Sequence, residues 1–366
     1  MLKNIKGNFG FGCMRLPMNG EEVNTAEFSK MIDTFLAGGF NYFDTAHCYL
    51  DGKSETALKE CLTSRYNRED YILADKLSDW LYETREDILP LFEKQLAACG
   101  VEYFDFYLFH AVHKGSYPKY KNTGAFKIVS DLKAKGKVKH IAMSFHDTAD
   151  VLDMILTEQP EIEAVQLQLN YLDFDDPTVQ SQKCYEIAVK HGKKVLVMEP
   201  VRGGALVNLP KEAEEEFSKL GGSPVSYALR YAASYPEVFM VLSGMGNMEM
   251  MTQNIKTMNP FIPLSKEETA ACDRVREIIR KYRQIPCTGC NYCADLCPLK
   301  MPISGLFGAY NKYVLAKEDK DKTKETILSF TPSVSSCALC GKCETVCPQN
   351  IKIRENLKKV TKILGE

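Results

Sequence analysis

Four side chains in the first third of the chain have the types needed for proton-coupled redox chemistry at a carbonyl: Asp44, Tyr49, Lys76 and His110. A tyrosine can donate a proton to a carbonyl oxygen while hydride reaches the carbon. Its ordinary pKa near 10 is too high for easy exchange at neutral pH. A neighbouring lysine cation favours the phenolate and lowers that pKa. An aspartate keeps the lysine charged and placed, and a histidine beside the oxygen orients the substrate or shares the proton. Singly, each residue has a plainer reading: a helix-capping acid, a packed ring, a surface lysine, a satisfied core histidine. Their shared placement at the ends of successive strands favours a site.

The second constellation is more specific. Cys287, Cys290, Cys293 and Cys297, followed by Pro298, return as Cys337, Cys340, Cys343 and Cys347, followed by Pro348, each fifty residues after its counterpart. Four thiolates hold a 4Fe–4S cubane. The x-x spacing lets three of them wrap one face, and in two-cluster proteins the fourth, before proline, ligates the other cluster. This pattern assigns Cys287, Cys290, Cys293 and Cys347 to one cluster, and Cys337, Cys340, Cys343 and Cys297 to a second. Two zinc sites are the competing reading, but these usually show paired C-x-x-C elements. The remaining cysteines are scattered, and core packing is their default. The segment between the runs is long enough to predict an inserted helix.

The elements that must carry these residues follow from periodicity. Phe40 to Asp44 alternates as a short strand does, and Tyr71 to Lys76 and Phe104 to His110 are strands ending on the lysine and the histidine. Further strands are predicted near residues 9, 138, 164, 194 and 238, with helices or room for helices between them. Examples are Ala26–Ala37, Glu83–Cys99, Phe126–Lys135, Val179–His191, Val225–Ala233 and Met248–Met258. Ser54 is a candidate N-cap for a helix over Glu55–Leu62. Eight strands alternating with helices over roughly 250 residues predict a (β/α)8 barrel, whose chemistry sits at the carboxyl ends of the strands. A doubly wound open sheet is the alternative. It should begin with a glycine-rich turn opening a helix, and Gly10-Phe11-Gly12 is instead followed by Leu16-Pro17. The domain reading is a barrel over 1–262, a connecting helix over 263–284 and a two-cluster domain over 285–366.

Composition bounds the rest. The 366 residues are 45% hydrophobic and 26% charged, ordinary for a globular protein. A net charge of -2 argues against a nucleic-acid partner. No apolar run is long enough to span a bilayer, and the N-terminal residues lack the apolar core of a secretory signal. Cysteine runs in a large chain of this kind favour metal ligation in a reducing cytoplasm.

FDTAHCY, YILADK and YLFH resemble the aldo-keto reductase pattern of DTAxxY, a strand-ending lysine and a strand-ending histidine. The resemblance covers roughly residues 1–260, and with the double cysteine motif the chain is similar to the ferredoxin-fused branch of that family. It implies a (β/α)8 barrel that reduces a small carbonyl or oxidises an alcohol with NAD(P). It also implies Asp44, Tyr49, Lys76 and His110 as the catalytic tetrad, with Tyr49 the proton donor. By the same resemblance Ser144 and Gln166 hold the nicotinamide carboxamide. Ser243, Gly244, Gly246, Asn247, Gln253 and Asn254 match the segment that holds the phosphates and adenine, and a loop at a helix N-terminus suits phosphate. The chain departs from the pattern in three places. Phe145 follows Ser144 where asparagine is usual, no aromatic ring lies near Met198-Glu199, and no arginine lies near Met250. Arg202 is a candidate for holding an anion or forming a rim salt bridge. Alternatives to a nicotinamide reductase are a flavin-dependent or ferredoxin-dependent reductase, the latter fed electrons only through its clusters, or an electron carrier whose non-catalytic barrel docks a redox partner protein.

Overall fold

The computed structural model describes residues 3–315 and 317–365. The chain divides into two units. The first runs up to Pro200 and resumes over Leu229–Leu264; the second comprises Val201–Ala228 and the residues from Ser265 onward. The span 201–228, although it lies between two barrel strands in sequence, groups with the C-terminal residues.

The first unit is built on a closed barrel of eight parallel strands. They are β1 (Phe9–Gly12), β2 (Tyr42–Asp44), β3 (Ile72–Leu77), β4 (Phe104–Val112), β5 (Val138–Phe145), β6 (Ala164–Gln168), β7 (Lys194–Met198) and β8 (Val238–Gly244). Each pairs with its sequence neighbours, and β8 closes on β1 with Phe9 opposite Val241. Helices follow the strands: α1 (Thr25–Ala37), α2 (Lys53–Leu58), α3 (Ile88–Cys99), α4 (Ala125–Ala134), α5 (Ala149–Glu158), α6 (Ser181–Lys190), α7 (Pro224–Ala233) and α8 (Met248–Met258). A short hairpin (Met18–Asn19 with Glu22–Val23) and a helix over Tyr117–Asn122 are additions that periodicity did not suggest. Both are too short for a hydrophobic period to show.

Strand alternation fills the barrel. Tyr42, Ile72, Ala74, Phe106, Leu108, Ala142, Ala164, Leu196, Met240 and Leu242 form one buried cluster. Gly10 faces it because nothing larger fits: a Cβ there would lie 2.6 Å from Leu242 Cδ2. Residues two further along a strand share its face. Asp44 follows Tyr42, Lys76 follows Ala74, His110 follows Leu108, Ser144 follows Ala142 and Gln166 follows Ala164, so the packed interior gives way to polar groups at the carboxyl ends.

In the second unit α9 (Lys266–Lys281) starts with a capping box between Ser265 and Glu268. Two helices, α10 (Ile303–Val314) and α11 (Lys320–Ser329), occupy the segment between the cysteine runs, and α12 (Ile353–Leu364) ends the chain. Met301, Ile303, Leu306, Phe307, Ile351, Ile353, Leu357 and Val360 pack together as this region's core, with Cys293 and Cys343 among them.

Candidate active site and cysteine cradles

Lys76 lies at the centre of the barrel site. It is 1% exposed and donates from Nζ to Asp44 Oδ1 at 2.6 Å and to the Thr45 carbonyl at 2.7 Å. Burial opposes its charge, but Asp44 and Tyr49 outweigh burial and hold its pKa above the ordinary lysine value. Burial raises the Asp44 pKa, while Lys76 and Gln166 work to lower it. Lys76 Nζ also lies 4.8 Å from the centre of the Tyr49 ring.

The Tyr49 pKa corrects the expectation from sequence. Burial drives it above the ordinary value, and the Lys76 cation only partly offsets that. The expected lowering assumed a solvated phenol beside a charge, whereas this ring is 8% exposed. Tyr49 is therefore a neutral phenol at neutral pH, with its proton available to donate.

His110 stands edge-on to Tyr49, with ring centroids 6.0 Å apart. Burial, Lys76 and His146 all push its pKa down, so the ring is neutral. In a neutral imidazole one nitrogen donates and the other accepts. Ser78 Oγ is 2.6 Å from His110 Nδ1, and Cys48 Sγ is 4.0 Å from the same atom. The Tyr120 hydroxyl lies 2.8 Å from both the His110 and Leu77 carbonyl oxygens and shares its one proton between them, tying the ends of β3 and β4 together. Trp80, the only tryptophan, is 41% exposed with its ring 5.1 Å from that of His110. Ser78 and Trp80 escaped the sequence reading. Ser78 had a signal there, because it continues the two-residue period past Lys76.

Ser54 is not a helix cap. Gly52, in the left-handed region, precedes α2, and Ser54 lies inside the helix. It is buried because its hydroxyl donates to the Cys13 carbonyl at 2.9 Å and lies 2.7 Å from Thr45 Oγ1. It thereby fastens the loop carrying Thr45 and Tyr49 to the end of β1.

The residues matched to cofactor binding are distributed as follows. Ser144 Oγ accepts from the Ala111 amide at 2.7 Å, which leaves its own proton to donate. Gln166 is 3% exposed. Asn254 Nδ2 donates to Ser243 Oγ at 3.2 Å, so these two side chains brace β8 against α8. Asn247 caps α8 by accepting from the Met250 amide at 2.9 Å. Gln253 is exposed on α8. Gly246 is open: a Cβ there would meet nothing within 4 Å. At Gly244 a Cβ would lie 3.5 Å from Arg15 Cβ. A basic residue therefore stands beside the β8–α8 loop although none is near it in sequence.

Outward from the same strands lies a second polar group. Asp75, between the inward Ala74 and Lys76, faces the helices. The ligand atoms of Asp75, Glu55 and Cys99 lie within 4.8 Å of one another. Burial pushes Glu55 up to about 7 and raises Asp75 well above its ordinary value, with Glu55 adding to the rise. Two facing carboxyls in a dry site share a proton. His47 Nδ1 is 2.6 Å from Glu55 Oε2.

In the second unit the cysteines surround two cavities. Cys287, Cys290, Cys293 and Cys347 line one, with Thr288, Phe307 and Ile351. Cys297, Cys337, Cys340 and Cys343 line the other, with Met301 and Leu357. Tetrahedral thiolates on one zinc ion, each about 2.3 Å from the metal, lie about 4 Å apart. Among the described residues only Glu55, Asp75 and Cys99 form a potential ligand group within 4.8 Å. Each cavity is lined by four thiols, a donor set that suits an iron–sulfur cubane. Arg202 belongs to this unit and is 7% exposed.

A model of the aldo/keto reductase family matches residues 8–277, and one of a 4Fe-4S dicluster domain matches residues 286–352. The chain belongs to the aldo/keto reductase family. It is an oxidoreductase with a C-terminal 4Fe-4S dicluster domain. The uncharacterized oxidoreductase YqkF of Bacillus subtilis (strain 168) is 23% identical, over 72% of this chain and 90% of its own. Protein REDOX 2 of Catharanthus roseus is 25% identical, over 74% and 84%. Among solved structures, the aldo-keto reductase AKR11C1 from Bacillus halodurans superposes with a TM-score of 0.62 at 21% identity, covering 73% of this chain and 91% of its own. An aldo-keto reductase from Klebsiella pneumoniae in complex with NADPH gives 0.59 at 17%, covering 74% and 90%. No helix among the described residues is long and apolar enough to cross a membrane.

Proposed function

We propose that this aldo/keto reductase reduces a small carbonyl compound, or oxidises the corresponding alcohol, with a nicotinamide cofactor, and that it carries two 4Fe–4S clusters for exchange with an external one-electron carrier. The observation that carries the reading is the buried Lys76–Asp44 pair, 2.6 Å apart, with the neutral Tyr49 phenol and the neutral His110 ring beside it. Tyr49 is the proton donor to the carbonyl oxygen. Lys76 stabilises the phenolate that this leaves, since its cation already works to lower the Tyr49 pKa. Asp44 holds Lys76 charged. His110, fixed through Nδ1 by Ser78, orients the oxygen.

Nicotinamide, when bound, supplies or takes up the hydride. Ser144 and Gln166 would hold its carboxamide, and the β8–α8 loop with Arg15 its phosphates. Ser243, Asn247 and Asn254 shape that loop through their mutual and capping bonds. The clusters supply one-electron transfer. Cys287, Cys290, Cys293 and Cys347 would hold one, and Cys297, Cys337, Cys340 and Cys343 the other.

The test is anaerobic turnover of NADH and NADPH with a panel of small aldehydes and ketones. Tyr49→Phe should lower the rate roughly a hundredfold or more through loss of general acid catalysis, with cluster absorbance unchanged. Full activity in Tyr49→Phe would remove Tyr49 from the mechanism.

A further inference from the structure

The second unit contains a contact that the cysteine spacing does not suggest. Val201–Ala228 belongs to this unit although the sequence places it between β7 and β8. Its helix, Lys211–Ser218, is tied down by three of its glutamates. Glu216 Oε2 accepts from Arg274 at 2.7 Å, Glu212 Oε1 from the Tyr282 hydroxyl at 2.9 Å, and Glu214 Oε1 from Lys317 at 3.0 Å. The start of the segment is a tight turn, closed by bonds from the Gly204, Ala205 and Leu206 amides to the Val201, Arg202 and Val201 carbonyls at 3.0, 3.0 and 3.2 Å.

Within that turn Gly203 meets the first cysteine run. A Cβ at Gly203 would lie 2.1 Å from the Thr288 carbonyl oxygen, 2.6 Å from its carbonyl carbon and 2.8 Å from its Cα. All three are backbone atoms, which no side-chain rotation can clear. Thr288 stands between Cys287 and Cys290, is 3% exposed and lines the cavity of that run. Gly203 has φ of 62°, so a side chain there is opposed by both the backbone and the contact.

We infer that Gly203 is a positioning residue for the cluster of Cys287, Cys290, Cys293 and Cys347, pressing the Thr288 peptide so that the flanking thiols keep their places. The second cavity, lined by Cys297, Cys337, Cys340 and Cys343, does not include Thr288 and lacks this clamp. Any side chain at 203 displaces the Thr288 peptide by about 1 Å to restore van der Waals distance. Metal–ligand distances tolerate only about 0.2 Å. The inference rests on the cluster assignment proposed above.

The test uses the full chain, purified anaerobically, with iron and acid-labile sulfide counted and the dithionite-reduced protein examined by electron paramagnetic resonance. The unsubstituted protein should hold about eight irons and show two interacting clusters; a protein without them sinks both the cluster assignment and the clamp. Gly203→Ala should retain roughly half the iron. Its remaining spectrum should match that of Cys290→Ala and differ from that of Cys340→Ala. Gly204→Ala is the control. Gly204 also has positive φ, at 96°, but a Cβ there meets nothing within 4 Å. It should keep both clusters. Gly203→Ala with both clusters intact overturns the clamp, as does equal loss in Gly204→Ala, which would make the effect one of backbone strain alone. Circular dichroism of each variant identifies global misfolding. If Gly203→Ala misfolds, anaerobic hydrogen exchange decides: cluster removal should deprotect residues 201–206 in the unsubstituted protein, and unchanged protection there overturns the clamp.

Discussion

The barrel site and the cysteine cradles solve opposite problems. In the barrel, Asp44, Lys76 and His110 sit on three different strands, and a closed apolar interior fixes where those strands end. The buried charges there are already paired: Lys76 bonds Asp44 and the Thr45 carbonyl. In the second unit the cysteines proposed as ligands come from short turns around Tyr292–Asp295 and Lys342–Thr345. Their thiols line open space between a modest set of apolar side chains. The barrel makes its site from packing that exists without a ligand. The cradles have eight thiols proposed to bind iron, and binding energy there would be folding energy. Stability should therefore respond to different insults in the two regions.

The largest expected effect is removal of the clusters. Stripping iron with a chelator under anaerobic conditions should expose the amides of residues 285–365 to hydrogen exchange while β1–β8 stay protected. Uniform protection across the cradles after iron removal would break the contrast, because their packing would then suffice without metal. The next effect lies in the barrel. Lys76→Met leaves Asp44 buried without its cation and should cost about 3–5 kcal/mol in urea unfolding, most of it recovered in the double variant Asp44→Asn, Lys76→Met. A cost below about 1 kcal/mol would mean that water reaches Asp44 and the pair is not buried as described.

The smallest effect sharpens the picture of the barrel wall. Glu55 is pushed from 4.5 to about 7 by burial, beside Asp75, His47 and Cys99. Between those values the folded protein holds a proton that the unfolded chain has released. Raising pH through this window therefore favours unfolding. The contribution is fully present below about pH 4.5 and lost by about pH 7. Glu55→Gln should flatten this part of the stability profile relative to the unsubstituted protein, followed by thermal melting from pH 5 to 8. Parallel profiles would show that Glu55 is ionised throughout.

Much of this architecture was legible in the chain. Alternation along Phe40–Asp44, Tyr71–Lys76 and Phe104–His110 is a local property of two-residue periodicity, so it placed three polar side chains on one face at three strand ends. The repeated cysteine spacing likewise needs only a few residues of local turn geometry to be meaningful. Features that depend on distant parts of the chain were not legible. Lys76 alone predicted a lowered phenol pKa for Tyr49, but desolvation sums over every atom packed around the ring and reversed the sign. Ser54 has the composition of a cap, yet its partners are Thr45 and the Cys13 carbonyl.

By itself, then, the sequence determined the order of strands and helices, which residues alternate onto the barrel's inner face, and the repeat that brings eight thiols into two runs. Only the tertiary structure decided that Arg15 stands beside Gly244, that Glu55 faces Asp75, and that Gly203 lies against Thr288. The reason is range. Periodicity and turn chemistry act over a few residues, whereas burial, charge pairing and backbone clearance arise from segments that meet only after the chain has closed on itself.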